Sequence, residues 1–134
     1  MALLKKSLNK NQAISLKIPA EASFISLVRL VVAAHLRENS VFEEELEDLK
    51  LVLSEFLAKA IEAHLTEIFS LEISFEKDLA TILIQNLEEF KPDALFNSRY
   101  LNFEAIISLI DDFDLILGEK QRIEVKITKR FNFQ

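Results

Sequence analysis

The chain predicts an α/β (α+β) two-layer sandwich, with a mainly antiparallel mixed sheet and about three helices on one face. Three observations carry that prediction. Two long stretches, 21–38 and 43–64, place apolar residues at helical spacing. Other stretches alternate apolar with polar residues, so each strand has one buried and one wet face. The elements run strand, helix, helix, strand, strand, helix, strand, strand. Strands with one polar face belong to antiparallel sheets whose helices cover the opposite side.

The first strand is read at 13–18, where Ile14, Leu16 and Ile18 alternate with Ser15 and Lys17. Pro19 ends it and suits a helix entry. The first helix spans 21–38, with Phe24, Val28, Val31, Val32 and His35 on one broad face. Ser40 and Glu43 then form a capping box, Ser40 accepting from the first turn and Glu43 reaching back. The second helix runs to His64 through Leu46, Leu49, Leu53, Phe56, Leu57, Ala60 and Ile61. Glu43, Glu44 and Glu45 lie at its positive end.

At 67–76 the period changes to two, with Phe69, Leu71, Ile73 and Phe75 against Ser70, Glu72 and Ser74. Lys77-Asp78 turns the chain into a more buried strand at 79–86. Residues 87–99, with Pro92 and Asn97, read as a loop or short irregular helix. A third helix is expected over 103–110. Strands at 113–117 and 122–131 close a hairpin around Gly118 to Gln121.

At 134 residues, half of them apolar, the chain is long enough for one stable core. The whole of 1–134 reads as a single domain behind a polar leader at 1–12. With no cysteine, disulfides, zinc–thiolate sites and thiol catalysis are excluded. A net charge of −6 argues against nucleic acid, whose phosphates need surplus Lys and Arg, and against an anionic membrane surface. No apolar run approaches the ~20 residues that span a bilayer. The leader lacks the apolar core of a signal peptide, so a cytoplasmic location is expected. Gly118 is the one glycine. Phosphate-wrapping loops bring backbone N–H groups close to the ligand and need several glycines, so this fold was not built around one.

The element order and several motifs resemble the bacterial anti-sigma-factor serine kinases, the smallest version of the ATP-binding fold shared by gyrase, histidine kinases and MutL (the GHKL fold). Ile18-Pro19-Ala20-Glu21 followed by Val28-Arg29 resembles the family's opening, and 51–64, containing Glu55, its core motif. Residues 103–115, with Asp111-Asp112, resemble the segment after its second glycine motif. The resemblance spans roughly 13–131 and implies a general base at Glu55, the magnesium position at Lys59 and the adenine-reading position at Asn86.

The departures define what the resemblance implies. Where the family holds magnesium with an asparagine, Lys59 offers only donors and repels Mg²⁺. After Asn86 both motif glycines are replaced, by Glu88 and Phe90, and Tyr100-Leu101-Asn102 lacks the second glycine motif. Lys59 gripping a phosphate without magnesium is the weaker reading, because phosphate cradles also use backbone donors. The resemblance therefore implies a degenerate ATP site packed with side chains and no cofactor. The protein would be a non-catalytic regulator that binds a sigma factor, or the antagonist that competes for it, by partner switching. Arg29 is the partner-binding candidate, its planar fork suited to a carboxylate, or else a residue snorkelling from a buried helix. A homodimer is expected by the same analogy. The alternatives are a divergent ATP-dependent serine kinase, which would need ATP and Mg²⁺, and a structural heterodimer partner of an active homologue.

Plainer readings stand beside these. Glu55 precedes Lys59 by four positions and reads as half of a helix ion pair worth ~0.2–0.5 kcal/mol. His35 and His64 read as structural. Asp111, Asp112, Asp114 and Glu119 read as a solvated helix end, lacking the pattern of a calcium loop. Lys120, Arg122, Lys126, Lys129 and Arg130 read as the wet face of an edge strand. Phe90, Phe96, Phe131 and Phe133 are the aromatics hardest to bury, and so candidates for a docking surface.

Overall fold

The computed structural model describes residues 13–91 and 103–132. The leader at 1–12, most of the 87–99 loop, Tyr100 to Asn102, Phe96 and Phe133 lie outside the described residues. Strand β1 (Ala13–Pro19) leads through a short 3₁₀ turn (Ala22–Phe24) into α1 (Ile25–Arg37) and α2 (Glu43–Glu62). Strands β2 (Ile68–Glu76) and β3 (Leu79–Leu87) follow. Next come α3 (Phe103–Ile106, continuing as 3₁₀ over Ile107–Leu109), β4 (Asp112–Leu117) and β5 (Ile123–Arg130).

The sheet order is β1-β2-β3-β5-β4, and all four pairings are antiparallel. No parallel pair occurs among the described strands, so the sheet is not mixed. The connections explain this. Two helices between β1 and β2 carry the chain back and forth once, so β2 must run against β1. Strand β5 inserts between β3 and β4 and runs against both, which leaves those two codirectional.

Alternation then sorts the side chains. Phe69, Leu71 and Ile73 of β2, Ala80, Ile82 and Ile84 of β3, and Val125 and Ile127 of β5 join the buried faces of α1 and α2 in one core. From α1 come Val28, Val32, Ala33 and Leu36, and from α2 Leu46, Leu49, Val52, Leu53, Phe56, Leu57 and Ala60. Ser70, Glu72, Ser74, Thr81 and Lys126 occupy the other, partly exposed face.

Several local expectations are corrected. The capping box does not form: Phe42 is the N-cap residue of α2, with no side-chain cap hydrogen bond, and Ser40 is left-handed at φ 56°. Glu43 instead receives the Arg37 guanidinium, Nε to Oε1 at 2.8 Å and Nη2 to Oε2 at 3.1 Å. This fastens the end of α1 to the start of α2. Helix α2 stops two residues before His64, which takes φ 54° and closes it in a Schellman arrangement. The Leu65 N–H donates to the Ala60 carbonyl at 3.0 Å and the His64 N–H to that of Ile61 at 3.1 Å. The third helix is shorter than expected, with Ile110 already extended at ψ 171°.

Strand β5 is interior, not an edge. Its cations are accordingly not one wet face. Lys129 points to the core side, 8% exposed, and donates to the Leu109 carbonyl at 2.7 Å, while Arg130 pairs with Asp78. Asp112 and Asp114 belong to the edge strand β4 rather than to a helix end. Asp111 accepts from the Arg130 N–H. Phe131, expected to be hard to bury, is 2% exposed and meets Phe75 edge-on at 5.9 Å.

Candidate functional site

Helix periodicity distributes the residues singled out in α2 among different surroundings. Glu47, Asp48, Leu51, Ser54 and Glu55 face outward, because the buried positions lie on the opposite side of the helix. With Arg29 of α1 they line an open groove of about 320 Å³. Glu55 and Arg29 are therefore brought together. Lys50 donates to Glu47 at 2.8 Å and holds that carboxyl below its ordinary range, and the Arg29 charge acts in the same direction.

Lys59 is a residue of the helix flank. The 40° offset between positions four apart turns it from Glu55 toward α3. It is 9% exposed, and its ammonium stands 5.8 Å from the centre of the Phe103 ring. The expected Glu55–Lys59 pair is not among the ion pairs of the described residues. A cation over a ring face replaces it, a contact worth ~0.5–2 kcal/mol depending on desolvation.

Phe103 belongs to an aromatic cluster that the sequence did not disclose. Phe56 meets Phe113 at 5.6 Å and Phe90 at 6.5 Å, and Phe103 meets Phe113 at 5.5 Å, nearly perpendicular. The two edge-to-face pairs, Phe56–Phe113 and Phe103–Phe113, each add ~0.5–1.5 kcal/mol beyond area burial, and Phe56–Phe90 is tilted at 44°. Phe90, expected to be hard to bury, is packed against the core. Its sequence neighbourhood gave no sign of this, since the residues it meets are distant in the chain.

Asn86 stands apart from this group. The β3–β5 register shifts between Ile84 and Leu87, and Asn86 takes φ 63° in the resulting bulge. That re-aims its side chain. Its Oδ1 accepts from Arg122 Nε at 3.1 Å, and the Arg122 guanidinium also lies 3.6 Å from Glu88. With Gln85, Gly118, Glu119, Ile123 and Glu124, these two residues line a separate hollow of about 280 Å³, in which Gln85 donates to Glu124 at 3.0 Å. Arg122 has no sequence signature for this role; strand order alone sets it opposite Asn86.

At the positions that the resemblance aligns with ATP and magnesium, the side chains present do not fit a magnesium–nucleotide complex. Lys59 puts a cation where the resemblance would require an oxygen ligand, Phe90 is packed on Phe56, and the Asn86 carboxamide oxygen accepts from Arg122. Among the described residues no three His, Cys, Asp or Glu side chains are grouped to hold a metal. His64 is exposed, and His35 keeps a buried Nε2 with no hydrogen-bond partner among the described residues. No described helix is long and apolar enough to cross a membrane. No protein-family model matches the chain, and no curated protein matches it either.

Proposed function

We propose that this chain is a non-catalytic regulatory binding module of the anti-sigma-factor type, engaging a sigma factor or its competing antagonist by partner switching. The supporting observation is the fate of the positions that the resemblance aligns with nucleotide binding. Lys59 is folded onto Phe103, and Phe90 stands against Phe56. Those positions serve packing, while the outer faces of α1 and α2, with Arg29 and Glu55, stay accessible. A homodimer and a cytoplasmic setting belong to the same reading.

Titration with Mg-ATP and Mg-ADP, by calorimetry with thermal melting alongside, tests the non-catalytic half. A ligand at 100 times its Kd would stabilise the fold by ~2.7 kcal/mol. The expected result is no binding at millimolar nucleotide; tight ATP binding would revive the serine-kinase alternative. Affinity purification from the native host tests the other half. Recovery of a sigma factor or an antagonist protein supports the proposal, and recovery of neither overturns it.

A further inference from the structure

The sheet ends in β1 on one side and β4 on the other, and these two edges are built differently. At β1 the Ala20 N–H donates to the Glu67 carbonyl at 2.9 Å. Stepping back by two along the register, Ile14, Leu16 and Ile18 bond to β2, while Ala13, Ser15, Lys17 and Pro19 turn their main-chain groups outward. Pro19 has no N–H to offer and Lys17 adds a charge, both devices that blunt an edge against pairing. At β4 the Gly118 N–H donates to the Arg122 carbonyl at 2.7 Å, so Asp112, Asp114 and Ile116 bond to β5. The outward main-chain groups of β4 therefore belong to Phe113, Leu115 and Leu117, with neither proline nor lysine among them. Among the described residues no strand lies beyond β4. Its end is also apolar and uncovered: Ile116 is 40% exposed, and Leu117, at 71%, is the most exposed large hydrophobic side chain described.

We infer that β4 pairs antiparallel with β4 of a second copy of this chain, about a two-fold axis at Leu115, to make one continuous sheet. Such an axis sets Leu115 against Leu115 and Phe113 against Leu117 of the other copy, each pair exchanging both main-chain hydrogen bonds. The side chains agree with this register. Each exposed Leu117 is laid beside a Phe113, an aromatic–aliphatic cross-strand pair. On the other face Asp114 lies opposite Ile116 and Asp112 opposite Gly118, so no two carboxylates are directly opposed. A shift toward Asp112 sets Asp114 against Asp114 or Asp112 of the second copy, and like charges in that position repel. A shift toward Gly118 sets Phe113 against the Glu119–Gln121 turn, where Lys120 and Gln121 are left-handed at φ 56° and 64°. The pattern of β4 is thus complementary to itself in one register. This goes beyond the reading proposed above, which includes a homodimer without a face, and it rests on the sheet edge alone.

Sedimentation equilibrium of the full chain should show a monomer–dimer equilibrium. Leu117→Lys should raise its dissociation constant on the order of tenfold or more. Leu117→Pro should do the same, because it removes an outward N–H that the β4–β5 ladder does not use. Far-ultraviolet circular dichroism confirms that both are folded, and Ser15→Lys on the β1 edge should leave the equilibrium unchanged. The chain has no cysteine, so disulfide formation reads the register directly. A mixture of Asp114→Cys and Ile116→Cys chains should crosslink, since the two positions form a close non-hydrogen-bonded pair, and neither variant should crosslink with itself. A monomer at every concentration would overturn the inference, as would self-crosslinking of either variant. A dimer that ignores both Leu117 variants would overturn it too, while leaving the homodimer of the proposed reading on another face. Host purification measures partner switching separately from all of these outcomes.

Discussion

Replacing Phe56 by alanine probes the aromatic packing at the positions that the proposed reading aligns with nucleotide binding. Phe56 is fully buried on α2, meets Phe113 edge-on at 5.6 Å and carries Phe90 at 6.5 Å. Removing a buried phenyl ring costs about 3–5 kcal/mol, combining lost transfer energy with the cavity left behind. The aromatic pairs put this site toward the upper end, because both contacts vanish together. Unfolding entropy scales with chain length at about 2.1 cal/mol/K per residue, so each kcal/mol lowers the Tm of 134 residues by about 3.5 °C. Phe56→Ala should therefore lower the melting temperature by about 10–18 °C, and Phe56→Leu, which retains most of the volume, by much less. Calorimetric melts with urea titrations at constant m-value measure it. Addition of millimolar Mg-ATP should leave the variant's Tm where it is. A loss below about 1 kcal/mol would show that the rings are not packed as described, and rescue by Mg-ATP would show that they occupy a latent nucleotide site.

Three further outcomes follow from the same geometry. His64→Gly should stabilise the protein by about 0.5–1 kcal/mol, since glycine relieves the left-handed strain at the end of α2 and the Schellman hydrogen bonds remain; equal or lower stability in urea titrations refutes this. Lys129→Met should cost about 1.5–3 kcal/mol, because it strips the Leu109 carbonyl of a charge-assisted partner while keeping a similar stem, and exchange of the amides of α3 should accelerate. The Glu43 carboxyl is held below its ordinary value near 4.5 by the Arg37 hydrogen bond. Its contribution is present above that value and lost as pH falls through the lower, folded one, so Arg37→Ala should raise the Glu43 midpoint in a carboxyl NMR titration and flatten stability against pH below about 4.5.

The two-layer fold was legible because it rests on periodicity. Alternation at 67–76 and helical spacing through Leu46, Leu49, Leu53 and Phe56 each name a buried face without knowledge of its neighbours. Strand order was not legible in the same way, since the pattern of β5 is the same for an edge strand as for an interior strand with one wet face. That single ambiguity misplaced Lys129 and concealed Arg122 opposite Asn86. The capping box failed for a different reason. Ser40 and Glu43 have the right spacing, but Arg37 sits within reach of Glu43, and a charged partner outcompetes a neutral backbone N–H. The aromatic cluster draws on α2, the segment after β3, α3 and β4, and no local window contains it.

Packing at the aligned nucleotide positions bears on how partner switching would work in this protein. In a nucleotide-dependent regulator, the binding face is coupled to a loop that a ligand orders, and ligand state sets partner affinity by its differential contacts in each state. Here α2 is fixed on one side by Phe56 in the core and on its flank by Lys59 against Phe103, contacts that need no ligand. The groove on the outer side of the same helix is then presented in one arrangement, and a preformed surface binds without the ordering cost of a mobile one. On the proposed reading, switching resides in competition between partners for that surface and in changes of charge on the partners themselves.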